Sequence, residues 1–152
     1  MRVFKFGGAS VKNSEAVRNL AQVLKKHNGE PTLVVISAMG KTTNMLETLV
    51  KAYYNQSGEE KKIFDQIKAF HQEIIQELIE EDNEFYEVDN LFIELECIIE
   101  KKPENDGHYD KLYDRIVPFG ELISTKIVNI YLSRTDYKAR WIDARNFVIT
   151  TN

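Results

Sequence analysis

Apolar and polar positions at the start of the chain predict a β-strand, a helix and a second strand. The stretch 2–6 is short and apolar, and two glycines end it, which is typical of a strand followed by a tight turn. Helical spacing begins at Ser14, which we interpret as the capping residue, and continues to about Asn28. Gly29 and Pro31 then prevent the helix from continuing.

The next apolar run, 32–37, shows no alternation between apolar and polar residues. Such a run is typical of a strand that is covered on both faces of a parallel sheet. Strand, helix and strand in this order predict one βαβ unit with a right-handed crossover, and therefore an α/β fold.

From residue 41 to about residue 99, apolar residues recur at every third or fourth position, which predicts three consecutive helices. The joints between them are predicted at 55–58 and 81–83. A loop at 102–107 follows, and helical spacing then resumes. Pro118 interrupts it, either as the first-turn proline of a new helix or as a kink in a long one. Two further strands are predicted at 139–142 and 147–149.

Composition narrows the class of protein. The 152 residues are 43% hydrophobic and 29% charged with a formal charge of -4, which suits one globular domain and argues against a nucleic-acid binder. The single cysteine, Cys97, lies in an apolar stretch and is predicted to be buried on a helix face. With no signal peptide and no membrane-spanning run, this cysteine usage points to the cytoplasm. The three histidines are far apart in sequence, so no metal site is expected.

Two segments at the ends of predicted strands have residues suited to binding anions. Lys5 stands before Gly7 and Gly8, and such glycines let backbone N–H groups approach a phosphate. A Walker A loop is excluded because its lysine follows the glycines. Without further support, two glycines after a strand are most often only a turn. The second segment, 35–44, leaves a buried strand with small and hydroxyl residues that suit a ligand site. Capping of the next helix by Thr42 or Thr43 is the alternative, and the two interpretations are compatible.

Two more segments complete the set. Glu121 lies next to a glycine in an otherwise apolar helix turn, so it either faces solvent or is partly buried beside a ligand. Asp143 and Arg145 follow a predicted strand and either pair with each other or reach a site.

Taken in order, these four segments resemble the motif series of aspartate kinases, which belong to the amino-acid kinase superfamily. The motifs are KFGGAS at 5–10, Ser37 with Thr43 and Asn44, GELIS at 120–124, and DAR at 143–145. The resemblance implies a carbamate kinase-like αβα sandwich, with residues 1–152 as its N-terminal portion and a helical insertion at about 52–110. It also implies that the nucleotide-binding half and the regulatory ACT domains are absent from this stretch.

The resemblance implies a role for individual residues. Lys5 would be the catalytic residue that contacts ATP phosphates and the transferred group, with Gly7, Gly8 and Ser10 beside the phosphates. Ser37 would lie near both the phosphates and aspartate. Thr43 and Glu121 would hold the aspartate substrate, the glutamate facing its ammonium group. Ala9 stands where the family usually has threonine.

The implied reaction is Mg²⁺-assisted transfer of the ATP γ-phosphoryl group to the side chain of L-aspartate, the first step toward lysine, threonine and methionine. The full-length enzyme is expected to be a homo-oligomer, without nucleic-acid or membrane partners, and the fragment alone to be inactive. Two alternatives stay open: a non-catalytic kinase-like module that binds aspartate or a partner, and another amino-acid kinase.

Overall fold

The described part of the chain forms a two-stranded sheet and six α-helices in a computed structural model. It comprises residues 1–27, 29–79, 85–101, 108–135 and 137–148. The elements are β1 (Arg2–Phe6), α1 (Ser14–Lys26), β2 (Thr32–Ile36), α2 (Thr42–Asn55), α3 (Glu60–Leu78), α4 (Tyr86–Ile99), α5 (Tyr109–Ile116) and α6 (Phe119–Ser133), with short 3₁₀ helices at Gly8–Val11 and Ala144–Asn146. The joint predicted at 81–83 and the loop predicted at 102–107 lie outside the described residues.

The βαβ unit is confirmed, but its sheet is covered on one face only. β1 pairs with β2 in parallel, from Arg2 opposite Thr32 to Phe6 opposite Ile36. Phe4, Phe6, Val34 and Ile36 pack against the core. On the opposite face Val3, Leu33 and Val35 are 61%, 44% and 43% exposed. The prediction of a strand covered on both faces is therefore wrong for the described residues, because their helices contribute core packing to a single face.

The capping residue of helix α1 lies one position before the predicted one. Asn13, not Ser14, is the capping residue, because its side-chain oxygen accepts a hydrogen bond from the Ala16 N–H at 3.0 Å. The buried Ser14 hydroxyl instead donates to a carboxylate oxygen of Glu77 on α3 at 2.5 Å. Arg18 reinforces this link by donating to Ser14 Oγ and to the Glu77 carbonyl. These bonds tie the crossover helix to α3.

The three consecutive helices predicted from 41 to 99 are confirmed as α2, α3 and α4. The joint at 55–58 is a sharp turn, in which Gln56 adopts a left-handed conformation with φ of 50°. Pro118 separates α5 from α6, so it precedes a new helix and does not kink a long one. The core between these helices is apolar and fully enclosed; among its largest buried side chains are Phe64, Phe92, Leu46, Leu49, Ile67, Leu95, Ile123 and Ile127.

The strands predicted at 139–142 and 147–149 are wrong for the residues described. Residues 139–143 have no sheet partner, and 147–148 follow the 3₁₀ helix with Phe147 and Val148 each 69% exposed; residue 149 lies outside the described residues. A segment with strand-like composition becomes a strand only when a neighbour completes its hydrogen-bond ladder. Here Trp141 packs on α6 instead, and its indole N–H donates to Thr125 Oγ1 at 3.0 Å.

Cys97 is exposed, contrary to the prediction. Helix α4 buries Phe92, Leu95, Ile98 and Ile99, and this spacing turns residue 97 toward solvent. None of the helices in the described ranges combines the length and apolar character needed to cross a membrane.

One histidine, His71 on α3, is completely enclosed by the core. Its Nδ1 lies 2.7 Å from the carbonyl oxygen of Ile67, and its ring meets Phe70 and Phe92 at centroid distances of 5.1 and 5.8 Å. Burial disfavours the charged imidazolium and lowers the pKa of His71 from 6.5 to about 4, while the Ile67 carbonyl opposes this shift more weakly. The ring is therefore neutral at pH 7.

The buried ring makes the stability of the protein depend on pH. Because the pKa of His71 falls from 6.5 when unfolded to about 4 when folded, its contribution is fully present above pH 6.5 and is lost as the pH falls toward 4. The loss should be about 3 kcal/mol of unfolding free energy. Urea unfolding at pH 7 and pH 4 measures this change in unfolding free energy, and the change should be smaller in His71→Gln. The same change at the exposed His108 should leave it intact; an equal pH dependence in both variants would contradict the assignment.

Candidate active site

The glycine turn after β1 packs directly against the loop after β2. The Ser37 N–H donates to the Phe6 carbonyl at 3.0 Å, and the Gly40 N–H donates to the Gly8 carbonyl at 3.1 Å. A Cβ atom at Gly8 would lie 2.8 Å from the Ala38 carbonyl oxygen and 2.9 Å from that of Gly40. Only a glycine therefore lets these two backbones approach, at the carboxyl ends of both strands.

Helix α6 closes on the same loop through its first turns. Gly120 leaves room for it, since a Cβ atom there would lie 2.9 Å from the Ala38 Cβ. One carboxylate oxygen of Glu121 accepts a hydrogen bond from the Ala38 N–H at 3.3 Å. The buried Ser124 hydroxyl donates to the Ser37 carbonyl at 2.8 Å. Glu121 is thus partly buried beside the loop and does not simply face solvent, which was the other alternative from the sequence.

Thr42 and Thr43 begin α2 and have different surroundings. Thr42 is completely buried, and its hydroxyl donates to the Met39 carbonyl at 2.6 Å. It forms no side-chain cap for the helix, so the alternative of capping by Thr42 is wrong. Thr43 is half-buried on the next position of the same turn. The loop 37–43 is therefore held by β1, α6 and its own threonine.

Lys5 lies on the uncovered face of the sheet, and Ser37 is half-buried just beyond the end of β2. Lys5 is exposed and pairs with Val35, and side chains two residues apart along a strand share a face. Within the described ranges the Lys5 ammonium group forms no hydrogen bond or ion pair. It is therefore available to an anionic ligand at this edge.

The structure brings the segments of the predicted site together without joining all their side chains. Gly8, Ser37 and Glu121 are linked through backbone contacts of the loop 37–40, and Ser10 is exposed on the 3₁₀ helix that follows Gly7. The described hydrogen bonds include none between the side chains of Lys5, Thr43 and Glu121.

A cleft of about 290 Å³ opens next to Glu121. It lies at the junction of α5 and α6, and Tyr113, Asp114, Val117 and Pro118 line the rest of it. Its walls are mostly apolar, and Asp114 and Glu121 are the acidic residues among those that line it.

The predicted Asp143–Arg145 step forms an internal ion pair. The Asp143 carboxylate accepts from the Arg145 Nε at 3.0 Å and from a terminal guanidinium nitrogen at 2.6 Å, and these bonds lower the pKa of Asp143. Trp141, two residues before Asp143, contacts the ammonium group of Lys126, which lies 3.7 Å from the centroid of its ring. The same ammonium group lies 2.6 Å from a carboxylate oxygen of Glu87. These contacts attach the segment to α4 and α6, so it supports the helix that carries Glu121.

Sequence analysis included Ser124 in the motif at 120–124 without giving it a role, and it did not predict the burial of His71. His71 shares the buried face of α3 with Ile67 and Ile74, and this spacing was a usable signal for a buried ring. The hydrogen bond between Ser124 and the Ser37 carbonyl spans 87 residues, so local sequence patterns contain no sign of it.

Comparison with known proteins agrees with this arrangement. The model of the amino acid kinase family matches residues 1–152. The chain belongs to the amino acid kinase family. Its predicted α/β class and amino-acid kinase fold are thereby confirmed.

Curated relatives of this family member are aspartokinases. It is 28% identical to the chloroplastic bifunctional aspartokinase/homoserine dehydrogenase 2 of Arabidopsis thaliana, covering 97% of the chain and 16% of the relative. It is 32% identical to aspartokinase 1, chloroplastic, of the same plant, covering 93% of the chain and 25% of the relative. The chain thus spans a quarter or less of these two relatives.

A solved structure shows the same fold. The crystal structure of E. coli aspartokinase III in complex with aspartate and ADP matches with a TM-score of 0.82 and 28% identity, covering 95% of this chain and 31% of that one. Resemblance to aspartokinases is therefore present in both sequence and backbone.

The close approach at Gly8 can be tested with a neighbouring glycine as control. Gly8→Ala should lower the unfolding free energy by about 1–3 kcal/mol, because the new methyl group meets two backbone oxygens. Gly7→Ala should change it little, since Gly7 has φ of -75° and nothing within 4 Å of an added Cβ. Urea denaturation of both variants measures the difference; equal stabilities would contradict the packing described.

Proposed function

We propose that the natural protein containing these 152 residues is an aspartate kinase. It would transfer the γ-phosphoryl group of ATP to the side-chain carboxylate of L-aspartate, giving 4-phospho-L-aspartate. The observation that carries this proposal is the meeting of the glycine turn, the loop 37–43 and Glu121 at one sheet edge. The backbone similarity to an aspartokinase in complex with aspartate and ADP supports it.

The site suits phosphoryl transfer because this reaction needs alignment and charge neutralisation more than covalent chemistry. An aspartate carboxylate oxygen forms a bond to the γ-phosphorus while the bond to the β,γ-bridging oxygen breaks, and ADP leaves. The nucleophile is already ionised, so no general base is needed. Lys5 would neutralise charge on the transferred group, with Gly7, Gly8 and Ser10 beside the phosphates and Ser37 between phosphates and substrate.

Glu121 and Thr43 would hold the substrate. The Glu121 carboxylate is partly buried and keeps one hydrogen bond from the Ala38 N–H, which fixes its position beside the cleft. A carboxylate held in this way would attract the ammonium group of aspartate, and Thr43 offers a half-buried hydroxyl at the start of α2.

Mg²⁺ would accompany ATP and neutralise charge on its phosphates. Within the described residues no group of three histidine, cysteine, aspartate or glutamate side chains could hold a metal ion.

The proposed activity has consequences for the product, the assembly and the isolated 152 residues. The product is an acyl phosphate for the biosynthesis of lysine, threonine and methionine, and the full-length enzyme is expected to be a homo-oligomer. The isolated 152 residues are expected to give no aspartate-dependent ADP release, whereas the natural protein should.

Replacing Lys5 tests its role in catalysis. Lys5→Ala in the natural protein should lower kcat by about 100- to 1,000-fold, the effect of removing one preorganised electrostatic contact. The exposed Lys51 on α2 gives a matched control, and Lys51→Ala should keep near-normal turnover. Aspartate-dependent ADP release measures both variants. A Lys5→Ala enzyme with normal kcat would refute the assignment.

A charge-only change tests Glu121. Glu121→Gln keeps an oxygen that can accept from the Ala38 N–H but removes the negative charge. The KM for aspartate should rise about 10- to 100-fold, as expected for loss of a charge-assisted hydrogen bond, while the KM for ATP stays within twofold. Initial rates at varied aspartate measure this, and unchanged aspartate saturation would count against a substrate contact.

A further inference from the structure

Two side chains of α6 bind the same peptide unit of the loop after β2. The Ser124 hydroxyl oxygen lies 2.8 Å from the Ser37 carbonyl oxygen, and a carboxylate oxygen of Glu121 lies 3.3 Å from the Ala38 nitrogen. This carbonyl and this N–H group belong to one planar trans peptide bond, in which they point in opposite directions. Helix α6 therefore holds the peptide unit 37–38 at both of its polar ends. We call Ser124, Glu121 and this peptide unit the peptide clamp.

The spacing along α6 explains how one helix face can reach both ends. Side chains three residues apart on an α-helix lie next to each other on one face, and Glu121 and Ser124 have this spacing. Gly120 allows the approach, since a Cβ atom there would lie 2.9 Å from the Ala38 Cβ. The peptide clamp is thus a product of close packing between α6 and the loop.

The single proton of the Ser124 hydroxyl goes to the loop. Two carbonyl oxygens lie within reach of this hydroxyl, that of Ser37 at 2.8 Å and that of Glu121 at 3.3 Å. The Glu121 carbonyl already accepts from the Thr125 hydroxyl at 2.7 Å, so the nearer Ser37 carbonyl receives the proton. No other group in the described ranges donates to the Ser37 carbonyl. Removal of the completely buried hydroxyl would leave this carbonyl without a partner.

We propose that Ser124 is a positioning residue for Glu121, acting through the peptide unit 37–38. By fixing the carbonyl, the hydroxyl sets the direction of the Ala38 N–H, and this N–H holds one carboxylate oxygen of Glu121. The other carboxylate oxygen, which accepts no hydrogen bond from the described residues, is left for the ammonium group of aspartate. This inference rests on the proposed function, because Glu121 binds substrate only there. Ser124 is completely buried and does not touch substrate.

Steady-state kinetics of the natural protein tests the role of Ser124. Ser124→Ala should raise the KM for aspartate about tenfold, the scale of one lost hydrogen bond, and leave the KM for ATP within twofold. Ser124→Cys keeps a side chain of similar size with only a weak donor, so it should change the KM in the same direction. Ser133→Ala is the matched control, because the Ser133 hydroxyl donates within α6, to the Ile130 carbonyl at 2.7 Å. Both KM values should stay normal in this variant.

A double substitution tests whether Ser124 acts through Glu121. In a Glu121→Ala background the carboxylate that the peptide unit positions is absent. Adding Ser124→Ala there should change the KM for aspartate less than twofold, because the two residues act on substrate through one contact.

Hydrogen exchange measures the peptide clamp without any substrate. Mass spectrometry of the natural protein should show several-fold faster deuterium uptake in fragments covering 37–40 when Ser124 is replaced by alanine, because the loop loses a restraint. Uptake in these fragments should be unchanged in Ser133→Ala.

The outcomes separate the positioning role from a structural one. Unchanged exchange at 37–40 in Ser124→Ala would overturn the peptide clamp, whatever the activity of the protein. Faster exchange with an unchanged KM for aspartate would make Ser124 structural only and overturn the positioning role, as would a tenfold KM effect that persists in the Glu121→Ala background. A natural protein that formed no ADP with aspartate would refute the proposed function, and the positioning role with it, even where the exchange result held.

Discussion

The site depends on the direct contact between two backbone turns, one after each strand. Gly8 and the segment Ala38–Gly40 approach so closely that no side-chain atom fits between them, and a hydrogen bond from the Gly40 N–H to the Gly8 carbonyl closes the contact. Parallel pairing of β1 and β2 aligns the two turns at the same edge of the sheet. Every other feature of the site is arranged around this contact, because it determines where Ser37 and the start of α2 lie.

Three elements hold the second turn from different sides. β1 supports it through backbone hydrogen bonds, α6 through Glu121 and Ser124, and α3 through Phe70 and His71. The polar groups are satisfied within the fold, since every fully buried side-chain nitrogen or oxygen of the described residues has a hydrogen-bond partner. A loop restrained in this way is preorganised, which is what a reaction governed by alignment requires.

The uncovered face of the sheet places the Lys5 amine in an accessible position. Lys5 stands there among the exposed side chains of Val3, Leu33 and Val35. The partly buried carboxylate of Glu121 approaches the same edge through the Ala38 N–H. A cationic group on β1 and an anionic group held by the loop after β2 suit the proposed reaction between an anionic phosphate and a substrate that carries an ammonium group.

Local patterns were sufficient to predict the βαβ unit and the helices α2 to α4, because helix periodicity and glycine turns act over a few residues. The amino acid kinase fold followed from four motifs in order. Local patterns failed for residues 139–142, since a strand requires a partner that only the tertiary structure provides. They also failed for Cys97, whose exposure depends on which face α4 buries.

Long-range contacts are absent from local patterns. The contact between Ser124 and Ser37 joins residues 87 positions apart, and that between His71 and Thr42 joins residues 29 positions apart. The sequence alone thus determined which residue types are available for chemistry. Their distances and burial were decided by long-range packing, because backbone contacts at Gly8 and Gly120 determine how closely the elements meet.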